Sequence, residues 1–198
     1  AYLGTVYSLG EDYTFDIEEG LVGYWRFEGN VEDSSGNGNH GEVIEGVQFV
    51  DGRNGIGKAR NMTYWFYVED DASLDLTEAV TIGVWVYFPI FSFPSWWPLL
   101  QKQDGCDLRN YGFWINDNET LGKRIHFSTT NGTNCVGAIS ESLDIALNKW
   151  HHLVATYDDE SKIVQFYIDG QLNGTTQCNG PSCTASYEWN TLEEDEGE

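Results

Sequence analysis

Three groups of residues have the types and spacing to do chemistry. The first is the stretch Asp33-Ser-Ser-Gly-Asn-Gly-Asn-His-Gly41. Asp33, Asn37 and Asn39, with Glu28 just upstream, offer carboxylate and amide oxygens, and Gly36, Gly38 and Gly41 let the backbone curl its carbonyls inward. Calcium takes roughly six to eight such oxygens in a flexible cage, so the pattern suits a structural calcium ion. The same residues also make a plain turn in which Asx side chains cap backbone N–H groups. The second group is Phe91, Phe93, Trp96 and Trp97, in a proline-punctuated run that reads as a loop. Flat exposed rings stack on the C–H faces of sugars, which makes these four a candidate glycan platform. A loop folded back over the body of the protein, or a contact to a partner chain, would use the same rings, because large exposed apolar patches rarely stay bare. The third is His151 and His152. Neighbours on a strand point to opposite faces, so they cannot share a metal, and one packed and one exposed imidazole is expected.

Four cysteines and four sequons bear on where the protein works. Cys106, Cys135, Cys178 and Cys183 form an even set with no Cys-x-x-Cys and His partners, which argues against zinc. Three disulfide pairings are possible. The favoured one joins Cys178 to Cys183 across the turn Asn-Gly-Pro-Ser and leaves Cys106 with Cys135, worth roughly 3–4 kcal/mol in the chain-entropy account. Asn61, Asn118, Asn131 and Asn173 each open an Asn-x-Thr sequon. Cysteines and sequons together point to an extracellular or cell-surface glycoprotein. The chain starts at Ala1 with no charged-then-apolar leader, as expected of a processed or excised chain, and no run of about 18 apolar residues is present to insert in a membrane.

The elements that position these groups are strands. Among 198 residues, 22 are glycine and 15% are aromatic, while strong helix formers are scarce. That balance favours strands and turns. The formal charge of −22, from 32 acidic and 10 basic residues, excludes nucleic acid as a partner and disfavours anionic membranes. A buried strand is expected at 21–27, with short strands near 42–44, 47–50 and 64–68. The run 80–88 alternates cleanly, with Val80, Ile82, Val84, Val86 and Phe88 on one face and Thr81, Gly83, Trp85 and Tyr87 on the other. A strand apolar on both faces lies between layers or against a partner. Antiparallel strands follow at 111–116, 124–129 and 136–140, then a hairpin of 150–157 with 163–168, and a return at 171–176. Many short, evenly spaced strands mean a sandwich or barrel. Residues 1–19 read as a first strand or stalk, 20–190 as the sandwich and 191–198 as an acidic tail.

The motif Gly-Leu-Val-Gly-Tyr-Trp-Arg-Phe-Glu-Gly-Asn (20–30), followed by the glycine-asparagine turn of 33–41, resembles the opening of laminin-G-like jelly rolls of the concanavalin A-like lectin/glucanase superfamily. Val-Thr-Ile-Gly-Val-Trp-Val (80–86), Asn-Lys-Trp-His-His-Leu-Val-Ala-Thr-Tyr (148–157) and Val-Gln-Phe-Tyr-Ile-Asp-Gly (164–170) are similar to later strands of that family, in the right order over about 20–176. The resemblance implies an all-β fold, a two-sheet antiparallel jelly-roll sandwich. It also implies a structural calcium near the 33–41 turn, helped by a C-terminal strand. Residues 177–198 hold no such strand, so the expectation is a truncated chain or a gap filled from elsewhere. Glucanases of this fold carry Glu-x-Asp-x-(x)-Glu along a strand. Glu193, Asp195 and Glu198 fit that spacing, but their run lacks the alternating apolar residues of a strand and reads as a solvated tail. The expected function is a non-catalytic extracellular module for binding or adhesion that recognises glycan or protein. The alternative is a structural subunit of a surface fibre or pilus, contacting further copies of itself.

Overall fold

The computed structural model describes residues 20–44, 46–62, 65–89, 96–102, 111–118, 122–130, 135–143 and 145–177. In chain order the strands are β1 (Gly41–Val43), β2 (Phe49–Asp51), β3 (Lys58–Arg60), β4 (Phe66–Val68), β5 (Ala79–Tyr87), β6 (Trp96–Lys102), β7 (Tyr111–Asn118), β8 (Gly122–Thr130), β9 (Cys135–Ile139), β10 (Trp150–Asp158), β11 (Ile163–Ile168) and β12 (Gln171–Gln177). Helical structure among the described residues is confined to two 3₁₀ turns, Arg53–Gly55 and Ala72–Leu74. Two four-stranded antiparallel sheets, ordered β12-β11-β10-β5 and β6-β7-β8-β9, form the body. Two further antiparallel pairs join β1 with β4 and β2 with β3. The all-β, two-sheet sandwich expected from the sequence is the architecture found.

The core follows from alternation. Side chains on a strand alternate between faces, and β5 buries Val80, Ile82, Val84 and Val86 while its intervening residues stay more exposed. On β10, Leu153 lies beside Val84 in register, and Ala155 lies between Ile82 and Phe166 of β11. The facing sheet contributes Leu99, Tyr111, Phe113, Ile115, Ile125, Phe127 and Ala138 to the same cluster. Phe127 of β8 stacks on Tyr157 of β10 at 5.7 Å, joining the two layers directly. Each fully buried aliphatic or aromatic side chain here contributes about 1.5–3 kcal/mol of transfer free energy.

Two expectations need correction. The segment 21–27 forms no strand; its ladder is reduced to a single bridge between Trp25 and Asp33. Its backbone groups are claimed instead by the following turn. The Asn37 and Asn39 side-chain amides donate to the Leu21 and Val22 carbonyls, and Asp33 accepts from the Tyr24 N–H. Side-chain bonds of this kind compete with a sheet ladder. The proline-aromatic run, read as loop through residue 98, becomes strand from Trp96 onward. β6 tolerates Pro98 because it is an edge strand, and the pairing with β7 slips between Pro98 and Leu100. Edges and bulges are where a residue without an N–H fits a sheet. The segments 1–19 and 178–198, which include the expected stalk and acidic tail, lie outside the described residues.

Candidate functional site

The outer face of the β12-β11-β10-β5 sheet carries an aromatic row. In register, Tyr87 of β5 stands opposite Trp150 of β10, and Trp85 stands opposite His152. These are the residues left over when the alternating set turns to the core. The Tyr87 and Trp150 rings lie 5.7 Å apart and tilted at 52°, and the Trp85 indole stacks on the His152 imidazole at 5.0 Å and 23°. Two loops raise walls beside this row. The first is the β2–β3 turn, closed by Gly52 N–H donating to the Gly57 carbonyl and by an Asp51–Lys58 ion pair at 3.0 Å. It delivers the Arg53 guanidinium over the Trp85 ring at 4.3 Å. The second is the turn entering β10, where Asn148 takes φ +58° and its N–H donates to the Phe88 carbonyl. Between the walls lies an open cleft of about 770 Å³, lined by the aromatic row, by Arg53, Asn54, Asn148 and Lys149, and by the carboxylates of Asp51 and Asp169.

Both carboxylates of the cavity are engaged. Asp51 pairs with Lys58. Asp169 accepts the His152 backbone N–H at 2.8 Å through Oδ1 and holds His151 Nδ1 at 2.7 Å through Oδ2. His151 is buried, and its Nε2 faces the Ala146 carbonyl at 3.0 Å, so it ties the β11–β12 turn to the loop before β10. His152 sits in the aromatic row. Burial holds its pKa below the ordinary 6.5; the Arg53 charge adds to that, against the pull of Asp169. His151 and His152 therefore face apart, as their adjacency on a strand dictates.

The residues singled out from sequence are placed as follows. Asp33, Asn37 and Asn39 share one turn, but Glu28 turns away to accept the Lys58 N–H at 2.8 Å. Asp33 Oδ1 accepts from the Tyr24 and Ser35 N–H groups, and its Oδ2 accepts from the Ser35 hydroxyl and the Asn39 N–H. Each Asp33 oxygen thus accepts two donors, and the NH₂ groups of Asn37 and Asn39 donate to the Leu21 and Val22 carbonyls. These bonds make a capped turn around Asp33. Among the described residues no group of three or more His, Cys, Asp or Glu side chains is arranged to hold a metal. Trp97 packs against the core, and the Trp96 ring meets the His126 ring edge-on at 4.8 Å, both on the sheet opposite Trp85. They are thus half-buried strand residues rather than loop rings, while Phe91 and Phe93 lie outside the described residues. Cys135 opens β9, whereas Cys106, Cys178 and Cys183 lie outside the described residues. Of the sequon residues, Asn61 precedes β4 half-buried and Asn118 ends β7. Asn173 lies on β12 with Oδ1 accepting the Ser142 N–H at 3.4 Å, and Asn131 is outside the described residues. Trp85, Tyr87, Trp150 and Arg53, which line this cleft, are not among the candidates singled out from the sequence. The signal was present in the second face of the alternating run at 80–88.

A family model described as the concanavalin A-like lectin/glucanases superfamily matches residues 62–197, more than half of the chain. The chain belongs to that superfamily. Both enzymes and binding modules occur within it, so membership leaves the chemistry to the site. Among solved structures, this superfamily member is similar to domain 4 of AbnA, a GH43 extracellular arabinanase from Geobacillus stearothermophilus, solved in complex with arabinotriose. The TM-score is 0.58 at 16% identity, over 83% of this chain and 79% of that one. At that identity the likeness speaks for the fold. No curated protein matches the chain. Among the described residues no helix is long and apolar enough to cross a membrane.

Proposed function

We propose that this protein is an extracellular, non-catalytic carbohydrate-binding module whose ligand lies in the cleft over Trp85, Tyr87 and Trp150. The observation that carries this reading is the cleft itself: a row of aromatic rings on a rigid sheet, walled by two turns that present Arg53, Asn54, Asn148 and Lys149. Aromatic rings give a sugar apolar contact area at low entropic cost, and the flanking amides and cations supply hydrogen bonds that fix its orientation. Absence of catalysis is supported by the carboxylates. A glycosidase needs an acid and a base or nucleophile free to face the scissile bond, whereas Asp51 and Asp169 are committed to Lys58, His151 and the backbone. The arabinotriose held by the arabinanase domain accords with a sugar ligand on a sandwich of this shape. The sequons and cysteines support an extracellular setting.

Glycan-array binding of the wild type and of Trp150→Ala tests the reading. Wild type is expected to retain a defined set of oligosaccharides and Trp150→Ala to lose at least about tenfold in affinity for them, the loss of one stacked ring at about 1.4 kcal/mol. Trp65→Ala, at an exposed tryptophan that is not among the residues lining the cleft, serves as the control. A silent array, or equal binding by wild type and Trp150→Ala, would remove the proposal.

A further inference from the structure

One wall of the cleft is tied down by an imidazole. Asn148, Lys149 and Trp150 line the cleft from the turn that enters β10. Just before them, the Ala146 carbonyl faces His151 Nε2 at 3.0 Å, and on the other side of the ring Asp169 Oδ2 faces Nδ1 at 2.7 Å. Both partners are acceptors. A neutral imidazole has one N–H and one lone pair, whereas the imidazolium has two N–H groups. The two contacts are therefore both hydrogen bonds only when both ring nitrogens carry protons. His151 is 7% exposed, so bulk water does not readily replace a lost partner.

The surroundings decide what happens when a proton leaves. Among the described residues, Asp169 of the β11–β12 turn is the charged group recorded against the ring. β5 presents Val86 in register with His151, the turn before β10 presents the Ala146 carbonyl, and His152 points to the opposite face, against Trp85. A bond to a carboxylate is stronger than one to a carbonyl, so the proton kept is the one on Nδ1. Nε2 then turns its lone pair on the Ala146 carbonyl, and two acceptors at that distance repel. The Asn148 N–H bond to the Phe88 carbonyl and the 3.4 Å contact of the Tyr87 hydroxyl with Asn148 Oδ1 lie a step further along the same turn.

We propose that His151 and Asp169 position the cleft wall at 148–150 through a doubly protonated imidazole, so that the cleft is ordered and binds more tightly on the acid side and loosens as the ring gives up a proton. The binding half of this proposal rests on the sugar-site reading; the positioning half does not. Side-chain ¹⁵N spectra of the wild type at about pH 6 should show both His151 nitrogens protonated, with His152 read separately in the same spectra. Between about pH 5.5 and 8.5 the hydrogen-exchange protection factor of the Asn148 N–H should fall about fivefold or more in step with loss of the Nε2 proton. The affinity for whichever of arabinotriose and cellotetraose binds should fall over the same interval, as the competent fraction of the wall falls. Asp169→Asn separates position from charge. Asparagine accepts the φ of +50° at residue 169. Its NH₂ can donate to Nδ1 of a neutral ring whose Nε2–H meets Ala146, while its oxygen keeps the His152 N–H. Protection and affinity in that variant should be flat with pH above about pH 6. A bare His151 nitrogen at about pH 6 in the wild type, or protection that ignores the titration of the ring, would overturn the proposal. If protection follows the ring but the affinity of a bound sugar does not, the coupling to ligand falls and the carbohydrate-binding module stands. If neither sugar binds at millimolar concentration, the wall still reports on His151, and it is the carbohydrate reading that fails.

Discussion

Asp33 holds the opening turn together, and its removal has a calculable cost. The carboxylate is nearly buried, at 8% exposure, and accepts from three backbone N–H groups and one hydroxyl. A hydrogen bond to a charged acceptor is worth about 1.5–3 kcal/mol net, and a buried donor left without an acceptor costs about 1–3 kcal/mol. The Ser35 hydroxyl already lies 3.4 Å from the Val22 carbonyl and can turn to it, so not every bond is lost outright. Asp33→Ala is therefore expected to lower stability by about 3–4 kcal/mol. Asp33→Asn keeps an acceptor toward Tyr24 and Ser35 but sets an NH₂ against the Asn39 N–H, for a loss of about 1–2 kcal/mol. The pH dependence has a definite sign. Burial alone would raise the Asp33 pKa, but the donors on Ser35, Tyr24 and Asn39 outweigh it and hold the group below its ordinary 3.8. Its contribution is thus complete above pH about 4 and is lost as pH falls through the lower folded value. Urea unfolding followed by tryptophan fluorescence, at pH 7 and at steps down to pH 3, measures both effects. The gap between wild type and Asp33→Asn should shrink below pH about 3.8. A loss under about 1 kcal/mol for Asp33→Ala, or a gap independent of pH, would refute the assignment of this carboxylate as the turn's cap.

Two further outcomes follow from the same geometry. Because each Asp33 oxygen already accepts two donors, replacing calcium with a chelator should leave the melting temperature within about 1 °C in differential scanning calorimetry; a rise of several degrees with calcium would show that the turn rearranges around an ion. Leu153→Ala, at a fully buried position between Val84 and Ile168, should cost about 2–5 kcal/mol in the same urea assay with an unchanged m-value, and a loss below about 1 kcal/mol would place Leu153 outside the core.

The sandwich was legible because burial imposes a period of two. The run at 80–88 and the strands near 111, 124, 150 and 163 lie where alternation puts them, to within a residue or two. What misled was side-chain chemistry that competes with the ladder. At 21–27 the apolar composition reads as a strand, but the Asn and Asp side chains of the next turn take its backbone partners. At 96–102 a proline reads as loop, yet an edge strand with a slipped register accepts it. The aromatic cleft was not legible in the sequence for a related reason. Trp96 and Trp97 stand out as adjacent rings beside prolines, but adjacency on a strand sends one of them to the core. Trp85, Tyr87 and Trp150 are scattered in sequence, and only the pairing of β5 with β10 brings them together. That pairing, and the placement of Arg53 above Trp85 by a distant hairpin, are long-range facts that no local pattern encodes.

Which tryptophans meet sugar can be read directly, because the chain's eight indole N–H groups can be followed individually in ¹⁵N–¹H spectra during titration with an oligosaccharide that binds. The Trp85 and Trp150 indole resonances are expected to shift in step with saturation while those of Trp96, Trp97 and Trp114 stay in place. Shifts confined to Trp96 and Trp97, with Trp85 and Trp150 unmoved, would contradict the account and return the binding surface to the opposite sheet.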